Sequence, residues 1–180
     1  MKRALAAVVL LFAGCREPEA RTYAPRERAE IMTPESLARS PVSGHLGGTP
    51  FTLRSAWYRV VRRPGHARLD LVVSEGSPSR LCARPTPADA RQVLVRYDGT
   101  TTLTPGPLRA DPSPTAPFRV FYERPAEHGF EGVGGASALV VIDAIEANVI
   151  VGRLRACFPD ATGSCVGGAF RAEECRDELD

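Results

Sequence analysis

From Val42 to Cys175 no stretch holds a 3.6-residue apolar period over three turns, whereas short alternating runs recur between clusters of Gly, Pro, Asp and Ser. That punctuation reads as antiparallel β-structure. Leu69, Leu71 and Val73 fall on one face of a strand, with Arg68 and Asp70 on the other. Val93, Val95 and Tyr97 alternate with Leu94 and Arg96, and Phe118, Val120 and Tyr122 flank Arg119 in the same way. A period of two puts one side of each strand in a core and the other in water. The pattern predicts strands at 44–47, 51–62, 68–74, 81–83, 91–97, 118–122, 138–143, 147–158 and 168–172. Short helices could hide only at 87–91 and 142–146. Tyr97–Pro117 and Glu123–Gly135 read as long surface loops, the second loosened by its glycines. A span of 134 residues with at least seven strands fits one domain. The expected fold is all-β: a single antiparallel β-sandwich, with a partly closed barrel as the alternative.

The N-terminus has a different character. Lys2 and Arg3 precede ten apolar residues, Ala4 to Ala13, a run too short to span a bilayer and suited to a signal peptide. Phe12-Ala13-Gly14-Cys15 resembles the bacterial lipobox, with Phe12 where Leu is usual. The resemblance implies that residues 1–14 are a signal peptide and that the mature chain begins at a lipidated Cys15. An ordinary secretory signal ending near a cysteine is the plainer alternative. Arg16 stands where Asp would mark inner-membrane retention in enteric bacteria, so the same resemblance favours the outer membrane. Residues 15–41 are expected to form a disordered tether. Arg16 to Pro41 carries four prolines, five Arg and five acidic residues, which is too polar to order itself. Thr33-Pro34-Glu35 supplies N-cap and N1 chemistry for one helical turn within it. Residues 176–180 read as an acidic tail.

Past Cys15 the chain has 21 Arg, no Lys and 21 acidic residues, so its side chains sum to zero. That balance gives no electrostatic case for nucleic acid as a partner. Charge is uneven along the chain: Val42–Arg96 carries nine Arg against three acids, and Tyr97–Asp180 seven against thirteen. Were the halves separate surfaces, the first would suit anionic polysaccharide or lipid headgroups. Interleaved strands would pair the charges on one mixed surface, and this is the expectation, since sandwich topologies mix early and late strands.

Four cysteines remain: Cys82, Cys157, Cys165 and Cys175. An even number in an oxidising envelope compartment points to two disulfides, and the absence of close Cys pairs argues against metal. Cys157 and Cys165 flank a stretch containing Pro159, Asp160 and Gly163, which is hairpin-loop chemistry that brings two cysteines within bridging distance. Cys82–Cys175 then ties an early strand to the end of the last one. The rival pairing is Cys82–Cys157 with Cys165–Cys175, which needs a sharp bend in the strand at 168–172.

No reactive constellation stands out. His45, His66 and His128 are scattered and read as solvated. No serine sits in a G-x-S-x-G elbow, and no glycine-rich stretch joins a strand to a helix as phosphate cradles require. Asp160-Ala161-Thr162-Gly163-Ser164 has the oxygens for a loose Ca²⁺ site, but Asp and Gly are also ordinary turn residues. No catalytic residue, metal site or cofactor is expected.

Gly44, Gly47 and Phe51, followed by Gly152, Leu154, Ala156, Phe158, Gly168, Phe170, Ala172 and Cys175, resemble the opening and closing motifs of uncharacterised exported lipoproteins of high-GC Gram-negative bacteria. The resemblance implies a β-rich domain and carries no activity. The resulting expectation is a membrane-anchored envelope lipoprotein, a non-catalytic binding or interaction module for an envelope protein or polysaccharide. An enzyme or inhibitor domain with a site assembled from distant residues is the alternative.

Overall fold

A computed structural model describes residues 32–63, 66–76, 90–99, 103–110, 113, 115–127 and 129–175. The expected signal peptide 1–14, Cys15, the expected tether up to Ile31, the strand expected at 81–83 with Cys82, His128 and the residues 176–180 lie outside them. The described chain forms β1 (Ser43–Leu46), β2 (Thr49–Thr52), β3 (Ser55–Arg63), β4 (His66–Ser74), β5 (Gln92–Asp98) and β6 (Gly106–Ala110). β7 (Phe118–Ala126), β8 (Gly129–Val133), β9 (Ser137–Glu146), β10 (Val149–Cys157) and β11 (Cys165–Glu174) follow. The segment 142–146 therefore belongs to a strand.

All eleven strands join one sheet in the order β6-β9-β10-β11-β3-β4-β5-β7-β8, with the β1–β2 hairpin attached to β11. The sheet curls into an open half-barrel. The chain is thus all-β as expected, and of the two arrangements the half-barrel matches the partly closed barrel rather than the two stacked sheets of a sandwich. A twisted sheet of this many strands has to curl, because each strand is rotated against its neighbour in the same sense. Pairing is antiparallel except where Glu173 and Glu174 of β11 run parallel to Trp57 and Tyr58 of β3.

The alternation read from sequence selects the inner face. Leu69, Leu71, Val73, Val93, Val95, Phe118, Val120 and Tyr122 are all buried there, with Leu154, Phe158, Val166 and Phe170 from the other limb. The outer face is not uniformly wet. Trp57, Val72, Leu94 and Cys175 form a second buried cluster. Adjacent Tyr58 and Trp57 therefore point to opposite sides of β3, and both are buried.

A third cluster corrects the tether boundary. Leu139 and Val141 present apolar side chains on the outer face of β9, and Leu37 covers them with Met32 beside it. The chain is packed from Met32 onward, about ten residues earlier than the tether 15–41 implies. Pro34–Ser36 forms a single 3₁₀ turn, closed by the Ser36 hydroxyl donating to the Thr33 carbonyl at 2.8 Å. Arg153 Nη1 donates to the Pro34 carbonyl at 2.9 Å, and Ala169 N donates to the Ser40 carbonyl at 2.7 Å. A composition that cannot order itself is ordered here by a surface that needs covering.

Two further strands replace expected loops. β6 lies in the segment 97–117 and β8 in 123–135, and they are the two ends of the sheet. The expected strand 51–62 is broken at Leu53–Arg54 into β2 and β3. At the β9–β10 turn Ala147 adopts φ +47°, a left-handed conformation unfavourable for a side chain with a Cβ. Ala147→Gly is expected to stabilise the domain by about 1 kcal/mol. Calorimetry should show this as a rise in Tm of about 2–4 °C.

Candidate functional site

Three polar clusters sit on this frame, each built from contacts within the chain. In the first, Asp70 of β4 is 1% exposed. It faces Arg96 Nε at 2.9 Å, Arg68 Nη2 at 3.0 Å and Arg59 Nη2 at 3.5 Å. The strand register produces this set, because Arg59, Asp70 and Arg96 are direct partners across β3, β4 and β5. Arg59 also lies over the Trp57 ring and Arg96 over Phe121, so the guanidiniums rest on aromatic faces. A buried carboxylate needs such company, since an unpaired charge there is costly.

In the second cluster, Arg91 donates to Glu75 through Nε at 2.9 Å and Nη2 at 2.6 Å. It also donates to the Leu46, Thr49 and Pro50 carbonyls and to the Thr49 hydroxyl. One guanidinium thus fastens the β1–β2 hairpin to the segment leading into β5.

The third is the loop expected to offer oxygens to Ca²⁺. Asp160 Oδ1 accepts from Thr162 N at 3.1 Å, Thr162 Oγ1 at 2.9 Å and Ser164 N at 2.9 Å. Its Oδ2 accepts from the Tyr122 hydroxyl at 2.9 Å and from the Ser164 hydroxyl. Ser164 Oγ in turn accepts from Gly47 N at 2.8 Å. Burial alone would push the Asp160 carboxyl up. The donations from Ser164, Thr162 and Tyr122 outweigh it and hold the group well below the usual carboxylate range. Burial, followed by the neighbouring Asp160 oxygens, pushes the Tyr122 hydroxyl up. The lone pairs a cation would use are taken by the protein's own donors, so the loop is a closed turn tied to the barrel interior.

Cys157 and Cys165 form the last register pair of the β10–β11 hairpin and are disulfide-bonded, with Cα atoms 4.1 Å apart. Cys175 is buried and disulfide-bonded; Cys82, its expected partner, lies outside the described residues. His45 is exposed on β1.

The residues that carry the lipoprotein resemblance have structural work. Leu154, Ala156, Phe158, Phe170, Ala172 and Phe51 fill the inner core. Gly152 lies opposite Phe170, and a Cβ on it would stand 2.8 Å from that ring. A Cβ on Gly168 would meet the Ser40 carbonyl at 2.5 Å.

Among the described residues a sizeable concave feature is left open. β11 pairs with β1 near its start and with β3 near its end, and between these contacts a groove of about 630 Å³ opens. Its walls include Arg39, Leu53, Arg54, Arg171 and Glu173. The groove falls within the roughly 300–1,000 Å³ of small-molecule sites. No sequence spacing announces it: Arg39 falls in the expected tether, and Arg54 and Arg171 lie at opposite ends of the domain. Comparison with known protein families, curated proteins and solved structures yields no match.

Proposed function

We propose that the chain is a lipid-anchored envelope protein whose half-barrel is a non-catalytic binding module, held at the outer membrane in preference to the inner. The lipobox-like Phe12-Ala13-Gly14-Cys15 is the feature that motivates the anchor, and the disulfide Cys157–Cys165 supports an oxidising compartment. Structural disulfides persist in oxidising compartments outside the cytosol. The internal pairing of the buried carboxylates favours binding over catalysis. Asp70, Glu75 and Asp160 are engaged by the protein's own donors, whereas a general acid or base must be free to exchange a proton with substrate.

Intact mass of the membrane-extracted protein tests the anchor. The expected result is a mature chain starting at Cys15 with acyl mass added, and release from the membrane fraction in Cys15→Ser. A mature start elsewhere, or an unmodified Cys15, would overturn it.

A further inference from the structure

We propose that the groove between β3 and β11 is a binding site for a small organic phosphate carrying a hydroxyl group. The proposal deepens the binding-module reading and rests on it only for the premise that the domain binds something.

The groove is marked by a concentration of arginines that no carboxylate contacts directly. Among the described residues, Arg59, Arg68, Arg91, Arg96, Arg119, Arg124 and Arg153 are each in an ion pair with a carboxylate. Arg39, Arg54, Arg62, Arg109 and Arg171 make no ion pair or side-chain hydrogen bond, and three of these five, Arg39, Arg54 and Arg171, line the same groove. Arg39 feels Asp143 only as a through-space attraction. In a chain whose arginines and acids balance, gathering three unpaired guanidiniums around one concavity sets up a local excess of positive charge.

The charge sets the ligand class. Three arginines against Glu173 leave the walls at about +2, which a phosphate group of about −1.5 to −2 complements better than a single carboxylate. Guanidinium donors match phosphate oxygens in fork geometry. Glu173 would repel a bare phosphate that filled the groove, but its carboxylate can accept a hydrogen bond from a ligand hydroxyl set away from the phosphate. Leu53 and Ala56 supply apolar wall for the carbon skeleton between these ends. The volume suits a small ligand, whereas a lipid surface would call for an exposed basic face.

The test is titration of the purified full chain with glycerol 3-phosphate, followed by calorimetry and by thermal shift. Binding is expected with a Kd below about 1 mM. It should weaken on raising salt, with no response to glycerol. Arg54→Gln and Arg171→Gln should each weaken binding about tenfold or more, since a charge-assisted hydrogen bond is lost. Neither arginine holds an ion pair, so both variants should keep the wild-type Tm without ligand, which separates lost binding from lost folding. Arg62→Gln, at an exposed arginine outside the groove, should bind as wild type. No binding, equal binding by glycerol, equal loss in Arg62→Gln, or binding only to phosphatidylglycerol vesicles would overturn the proposal. Anchorage is read from the mass of the mature N-terminus, so failure here leaves that result standing.

Discussion

Gly44→Ala is expected to destabilise the domain by at least about 4 kcal/mol, enough to leave much of the protein unfolded. Two independent terms act at this position. The backbone sits at φ +148°, where residues with a Cβ are strained. An added Cβ would also lie 2.2 Å from the Cys165 carbonyl oxygen and 2.9 Å from the Val166 Cα. Both neighbours are backbone of β11, so no side chain can swing aside; the strands would have to separate. Gly134→Ala is the control: its φ is not positive, and nothing lies within 4 Å of the added atom. It should change stability by no more than about 0.5 kcal/mol. Urea unfolding of the pair separates a contact effect from a general intolerance of alanine, and similar midpoints would refute this account of β1 against β11.

Asp160→Ala is expected to cost about 3–5 kcal/mol, by removing the acceptor for several donors that burial then leaves without partners. Tyr122→Phe, which removes one donor and keeps the ring on Phe158, should cost about 1–2 kcal/mol. The pH dependence has a definite sign. The folded-state pKa of Asp160 is depressed, so folding releases its proton and the stabilisation is fully present above the unfolded value of about 3.9. It is lost as pH falls below that, toward the lower folded value. Acid titration of unfolding should show a steep loss of stability below about pH 4 that is shallower in Asp160→Asn. Parallel acid limbs in the two proteins would show that the loop carboxylate is not the group responsible.

The central strands were legible because their surroundings are simple. Leu69, Leu71 and Val73 face a filled interior, so an alternating pattern is the only one that works there. β6 and β8 were read as loops for the opposite reason. Each is paired on one side only, so Pro107 costs no ladder bond and Gly129 and Gly132 are tolerated in the other edge. The ordering of residues 32–41 was hidden because its cause lies on β9, about a hundred residues away. The groove was hidden for the same reason: its arginines meet only through the parallel contact of β11 with β3. The Asp160 turn chemistry was visible in sequence, whereas Tyr122 as a further donor was not, since nothing local brings β7 to that loop.

The position of β11 governs when this chain can fold. Among the described strands, β6, β9 and β10 connect to β3, β4, β5, β7 and β8 by hydrogen bonds only through β11, and β1 also pairs with it. Of the described strands, the latest in the chain is thus the one that joins the two limbs. Until it has been synthesised neither limb can complete the interior, and the pairing of β11 with β1 must close a loop spanning most of the domain. Assembly through such distant contacts is slow, on the order of milliseconds to seconds. Before β11 is added, the β6-β9-β10 limb and the β3-β4-β5-β7-β8 limb have only their own internal pairings, so one strand sets the moment at which the two become a single sheet.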